Sequence, residues 1–227
     1  MTPLYFYLLV GSLSVPLLFS VFVIDFVKKW KNFLISTSIV ALVFLIWDVI
    51  FTENGVWGFE EKYCLGFHIL KMPIEEWLFF FIIPFCSLFT HFAFFYKFPE
   101  IKLPRTFTRV FTVGLKLLCL YLVFLNAHKA YTSVNYSFLF VVLALGLFFY
   151  IELLQKFYIS FLIILVPFFL VNGALTGMFT EIPVVWYDNS ENLGIRLISI
   201  PIEDIGYAFS MLFGNLFLFE KLNAFNK

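Results

Sequence analysis

Charge is scarce in this chain. Asp, Glu, Lys and Arg make up 13% of its 227 residues, against about 25% in a soluble domain. By contrast 62% are hydrophobic and the mean hydropathy is +0.96. Apolar surface on that scale needs lipid, so a soluble globular protein is excluded and an all-α polytopic membrane bundle is expected. The formal net charge is zero, which argues against a nucleic-acid partner. Cysteine is limited to Cys64, Cys86 and Cys119, an odd number without zinc or redox spacing, so no disulfide framework is expected. His68, His91 and His128 form no pair with metal-ligand spacing. There is no glycine-rich phosphate loop and no G-x-G-x-x-G, which excludes a Rossmann-type flavin or nicotinamide site; no cofactor is expected. The last apolar run holds no lysine for a retinal Schiff base, and Lys116 is the single lysine inside a span. The N-terminus lacks a basic n-region and a small-residue cleavage site, so the first apolar run reads as a retained helix.

Long apolar runs are abundant. Seven segments approach the roughly 20 residues a spanning helix needs: 3–25, 33–52, 72–96, 110–126, 134–154, 157–180 and 199–219. Shifting the sequence by 128 positions aligns the first three with the last three without a gap. Phe51-Thr52-Glu53 falls on Phe179-Thr180-Glu181, Leu65-Gly66 on Leu193-Gly194, and Pro73-Ile74-Glu75 on Pro201-Ile202-Glu203. The chain therefore reads as one membrane domain, 1–227, made of a first repeat (1–100), a linking helix (101–130) and a second repeat (131–227). Repeats that start four spans apart run in the same direction, which predicts a pseudo-two-fold axis along the membrane normal. One set of helix ends carries Lys28, Lys29, Lys31, Lys97, Lys102, Arg105, Arg109, Lys156, Lys221 and Lys227. By the positive-inside rule that side is cytoplasmic, with the C-terminus inside and the N-terminus outside. The opposite side collects the acids, among them both copies of the Pro-Ile-Glu-(Glu/Asp) motif.

That motif has a local explanation. Proline suits the first helical position and acids in the first turn complement the helix dipole. Two copies in one register are harder to explain that way, because ionisable groups at membrane depth are functional by default and face the bundle interior. Apolar surroundings and a second carboxylate both favour the neutral form of a carboxyl group. Such a site offers one acid to donate a proton and one base to accept it. Glu75, Glu76, Glu203 and Asp204 are thus the candidate catalytic residues. Adjacent helical residues point about 100° apart. Because the face of Glu203 continues through Tyr207, Ser210 and Gly214, Glu75 and Glu203 are expected to point inward with Glu76 and Asp204 flanking them. The expected substrate contacts are Asp48 within the second span, Asn172 in the sixth, Trp186 and Tyr187 in the aromatic belt, Arg196 as counter-charge, and Tyr207. The 35 phenylalanines read either as lipid-facing bulk or as the lining of a channel for a long conjugated chain. Aromatic faces can also stabilise a carbocation.

At these residues the chain resembles the small integral-membrane lycopene β-cyclases. The first half carries Trp47-Asp48 and Pro73-Ile74-Glu75-Glu76 followed by Phe79-Phe80. The second half carries the more specific strings Val171-Asn172-Gly173, Leu175-Thr176-Gly177, Pro183-Val184-Val185-Trp186-Tyr187, Asn192-Leu193-Gly194-Ile195-Arg196 and Pro201-Ile202-Glu203-Asp204. The resemblance implies a fused form of a two-subunit enzyme, complete in one chain, in a bacterial inner membrane. It also implies a non-redox reaction on a lipophilic carotenoid in the bilayer, alongside other enzymes of the same pathway. The ψ end of lycopene is protonated, the cation closes a six-membered ring, and loss of a ring proton leaves a β end group. The family's acidic motif falls on Glu75, Glu76, Glu203 and Asp204, with acid and base unassigned. Alternatives at this stage are hydration of the same cation, an ε-type ring, a parallel-repeat transporter, and a non-catalytic partner subunit.

Overall fold

A computed structural model describes residues 3–22 and 26–225; the end of the first expected span, 23–25, and Lys227 lie outside the described residues. The helices are α1 (Leu4–Phe22), α2 (Trp30–Glu53), α3 (Ile74–Lys97), α4 (Arg105–Leu125), α5 (Ala130–Phe149), α6 (Ile151–Leu175) and α7 (Glu203–Phe225). Short strands β1 (Trp57–Phe59), β2 (His68–Ile69) and β3 (Met72–Pro73) lie between α2 and α3; β4 (Val185–Tyr187), β5 (Arg196–Leu197) and β6 (Ile200–Pro201) lie between α6 and α7. Helices satisfy their own backbone groups, the condition for crossing lipid. The protein is an all-α membrane helix bundle.

Six of the seven helices, α1 to α6, are long and apolar enough to cross a membrane. The seventh departs from the expectation of seven apolar spans, and the reason is its position. α7 packs against α2, α3, α5 and α6, and from Glu203 to Glu220 it has no exposed residue. A helix wrapped by other helices meets little lipid, so it tolerates Ser210 and Asn215, both buried at 1% exposure. The outer helix α4 is the reverse case, with Val110, Leu117, Tyr121 and Phe124 facing outward. Its Lys116 ammonium lies over the rings of Phe140 and Phe148, at 4.8 and 5.3 Å from their centroids. The fifth and sixth helices begin at Ala130 and Ile151, several residues before the expected 134 and 157.

The two inter-helix loops fold alike. Hairpin β2–β3 pairs His68 with Pro73 and Ile69 with Met72; hairpin β5–β6 pairs Arg196 with Pro201 and Leu197 with Ile200. Each residue of the second hairpin sits 128 positions after its counterpart. Gly66 and Gly194, the matching glycines before the hairpins, take φ of +84° and +71°, a left-handed turn that glycine adopts without Cβ strain. The Ile74 amide donates to Phe67 O at 2.8 Å, and the Ile202 amide to Ile195 O at 3.0 Å. β1 and β4 then pair with each other, Trp57 with Tyr187, Gly58 with Trp186 and Phe59 with Val185. Gly58 and Trp186 are themselves counterparts under the 128 shift. An antiparallel pair centred on equivalent residues is what a two-fold axis through its midpoint generates. Together the loops form a lid across the ends of α2, α3, α6 and α7 and tie both acid motifs to that end of the bundle.

Candidate active site

The two carboxylates of each motif do different work. Glu75 and Glu203, both fully buried, bind the loops: the Leu65 amide donates to Glu75 Oε1 at 2.6 Å, and the Leu193 amide donates to Glu203 Oε1 at 2.7 Å. The Thr132 hydroxyl adds a second donor to Glu203 Oε1 at 2.7 Å. These are equivalent bonds in the two halves. Neither residue lines the large cavity described below, so the expected orientation, with Glu75 and Glu203 toward the substrate space, is exchanged. The physical reason is the loop. Its amide next to the left-handed glycine needs an acceptor, and the first carboxylate of the helix start is the one within reach. About 100° of rotation then turns the second carboxylate into the bundle.

That second pair, Glu76 and Asp204, faces a cavity of about 540 Å³. Asp48 joins them, as do Tyr5, Trp57, Tyr131, Tyr187 and Tyr207. The surroundings of the two acids differ. The Tyr5 hydroxyl donates to Glu76 Oε2 at 2.5 Å, and Asp48 lines the same cavity as Glu76. Two carboxyl groups gathered in an apolar space favour a neutral, proton-bearing member. Asp48 is held in place by the Trp57 indole N–H, which donates to its Oδ1 at 2.7 Å. Among the described residues Asp204 has no carboxyl neighbour in hydrogen-bond contact. Instead it accepts three neutral donors: the Tyr131 hydroxyl at 2.5 Å, the Asn172 amide at 2.8 Å and the Tyr187 hydroxyl at 3.1 Å. Three donors aimed at one carboxyl group offset part of the cost of burying its charged form.

The asymmetry is written in the sequence. The counterpart of Asp48 under the shift is Thr176, whose hydroxyl bonds Asn172 O and Ser199. The counterpart of Asn172 is Phe44, which packs edge-on against Tyr207 with centroids 5.0 Å apart. Around Asp204 the rings form a box. Trp57 meets Tyr131 edge-on at 5.1 Å, Tyr131 stacks with Tyr187 at 5.8 Å, and Trp47 meets Tyr207 at 5.1 Å. Burial, and then the adjacent Asp204, push the Tyr187 phenol well above its ordinary value, so it remains a donor at neutral pH.

Of the expected substrate contacts, Asp48, Asn172, Tyr187 and Tyr207 line the cavity. Trp186 and Arg196 stand outside it. The Trp186 ring covers Gly58, and Arg196 donates to Ser199 O and Asn189 Oδ1 while lying over the Tyr187 ring. Tyr5, Trp57 and Tyr131 complete the wall. Aromatics at span ends read from sequence as an interfacial belt, and nothing in a single sequence distinguishes a ring that turns inward. Cys64, under the loop, is pushed up to about 12 by burial and then by Glu75 and Glu76, which makes it a poor nucleophile.

The geometry gathers three carboxyl groups at the end of an apolar, ring-lined cavity. A family model described as Lycopene cyclase matches residues 2–95 and 128–222, two segments that together leave out mainly α4. Nothing among curated proteins or solved structures matches significantly. The match covers most of the sequence and both acid motifs, and the chain therefore belongs to the lycopene cyclase family, whose chemistry is carotenoid cyclisation.

Proposed function

We propose that this chain is a lycopene β-cyclase, an intramolecular isomerase, in which Glu76 is the acid and Asp204 the base. The observation that carries the division is the contrast between the two equivalent carboxyls. Glu76 shares its end of the cavity with a second carboxyl, Asp48, which favours a proton-bearing member of that pair, whereas Asp204 is held by three neutral donors. The proton passes from Glu76 to the terminal double bond of the ψ end. The resulting cation is attacked by the next double bond, forming the ring C–C bond and moving the positive charge into the ring. Asp204 removes a ring proton, and the electrons of that C–H bond become the ring double bond. One proton has entered and one has left, so mass and redox state are unchanged. The cation forms among Trp57, Tyr131, Tyr187 and Tyr207, whose π faces stabilise positive charge. The Asp204 carboxylate opposite adds a Coulombic contribution that is large where water is excluded.

In this reading the chain is one membrane domain of two fused repeats, 1–100 and 131–227, joined by the helix within 101–130. Both motif copies serve a single site, one giving the acid and the other the base. The end bearing Lys29, Lys97, Arg105 and Lys156 faces the cytoplasm, which places the acids at the outer face of a bacterial inner membrane. Expression in a lycopene-accumulating host is expected to give γ-carotene or β-carotene, identified by chromatography and unchanged mass. Lycopene left intact beside a folded, membrane-inserted protein sinks the proposal; a product heavier by one water points to capture of the cation instead of ring closure.

A further inference from the structure

The cavity is longer than an end group and open at its side. Along α3 its lining runs from Glu76 to Thr90, about 21 Å at 1.5 Å per residue. It therefore extends from the acids well into the hydrocarbon layer, which is about 30 Å thick. Its outer walls are α1, α3 and α6. Each of these has a proline in its interior, Pro16, Pro84 and Pro167, and none of the other four helices does. A proline frees the carbonyl four residues earlier and weakens the helix there. Ser12 O, the carbonyl so freed in α1, accepts from the Cys86 thiol of α3 at 3.3 Å. Between α1 and α6 the lining includes residues that also face outward: Tyr7 is 60% exposed, Leu170 is 59% exposed, and Gly11 is exposed with no atom within 4 Å of where its Cβ would lie. On a membrane helix bundle, outward at this depth means toward lipid.

The equivalent space in the other half is filled. Gly11 corresponds to Leu139, Leu8 to Tyr136, Asn172 to Phe44 and Leu175 to Trp47, and all four of these larger or aromatic counterparts are buried. Leu139 closes onto α7, where a Cβ added to Gly206 would lie 3.2 Å from Leu139 Cδ2. Two acid motifs thus share one cavity with one side opening.

We propose that the polyene enters sideways from the lipid between α1 and α6, past Tyr7, Gly11 and Leu170, and that the cavity holds only one end of it at a time. An extended forty-carbon polyene is about as long as the hydrocarbon layer is thick, about 30 Å, so the part beyond the cavity stays in the bilayer, threaded through the opening. A second ring then requires the molecule to leave, turn and come in again, and the monocyclic product is released between the two. The proposal rests on the cyclase reading only for the identity of the chain that enters.

The test uses the full chain in lipid nanodiscs loaded with lycopene. Gly11→Trp places a large ring at the opening, where an added Cβ meets no atom within 4 Å. Gly114→Trp, on α4 and also facing open space, places the same ring on a lipid-facing helix that does not line the cavity. Two signals are followed: ring formation, and the circular dichroism induced in the polyene when it is held in a chiral site, which does not depend on turnover. Gly11→Trp is expected to lower kcat/KM and the polyene affinity by tenfold or more, with Gly114→Trp within twofold of the parent. Monocyclic product is expected free in the lipid before any bicyclic product. Parent-like values for Gly11→Trp, or bicyclic product from the first turnover with no free monocyclic species, overturn the proposal while leaving the cyclase reading standing. If the parent forms no ring but its induced dichroism is lost in Gly11→Trp, the cyclase reading falls and the lateral opening stands.

Discussion

Asp204→Asn and Glu76→Gln are each expected to slow ring formation by about 100- to 10,000-fold, the range a positioned acid or base contributes, with the protein still folded in the membrane. Both changes keep shape. In Asp204→Asn the amide oxygen can keep the Tyr131 hydroxyl, and the amide N–H at the other oxygen's position can donate to the Tyr187 hydroxyl, but the group no longer takes up a proton. In Glu76→Gln the Tyr5 contact can persist, but the amide has no acidic proton to give. The two losses differ in kind, and an isotope separates them. With Glu76→Gln the proton never arrives, so lycopene recovered from heavy water carries no deuterium. With Asp204→Asn the cation still forms and reverts, so recovered lycopene carries deuterium at its ends. Mass spectrometry of the unreacted substrate reads this directly. The same deuterium content in both variants contradicts the division of acid and base.

The second large effect concerns stability. Glu203→Leu is expected to destabilise the protein by about 1–3 kcal/mol, the cost of leaving a buried donor unpaired. The Leu193 amide loses its acceptor at 2.7 Å. The Thr132 hydroxyl, which also donates to Glu203, can turn back to a carbonyl of its own helix and lose less. Glu203→Gln keeps an acceptor oxygen in the same place, and its activity is expected within a few-fold of the parent. Thermal unfolding in detergent separates the two roles. A Tm several degrees lower for Glu203→Leu, with near-parent activity for Glu203→Gln, fits a loop anchor. A large loss of activity in Glu203→Gln at unchanged Tm assigns this carboxylate to the chemistry instead. Glu75, bonded in the same way to the Leu65 amide, is expected to behave alike.

The contrast between these predictions marks where sequence reasoning was strong and where it stopped. Lipid-length apolar runs placed the helices, because hydropathy is an additive property of local segments. The recurrence of Pro-Ile-Glu-(Glu/Asp) placed both acid motifs at one end of the bundle. Which carboxylate of each pair turns inward was not legible. It depends on an amide of a loop folded around a left-handed glycine, and on hairpins of two residues per strand, too short to leave a periodic pattern. The place of Trp186 outside the cavity is hidden because it reads as a belt aromatic, and nothing in the sequence singles out Tyr5 and Tyr131 as turning inward. The unusual polarity of α7 had a signal: its Ser210, Asn215 and Glu220 sit in an otherwise apolar run. Polar residues scattered through an apolar run mark a helix shielded from lipid.

The central claim is that ring closure here is proton chemistry performed by the chain's own carboxyls. The most direct measurement is product mass after turnover of lycopene by the purified chain in nanodiscs made up in heavy water, with no cofactor added. A proton delivered by Glu76 exchanges with solvent, whereas the proton taken by Asp204 comes from a carbon of the substrate. The account predicts one deuterium per ring, one in γ-carotene and two in β-carotene. Rings formed without deuterium, or formed only when a flavin, a nicotinamide or a metal is supplied, contradict it.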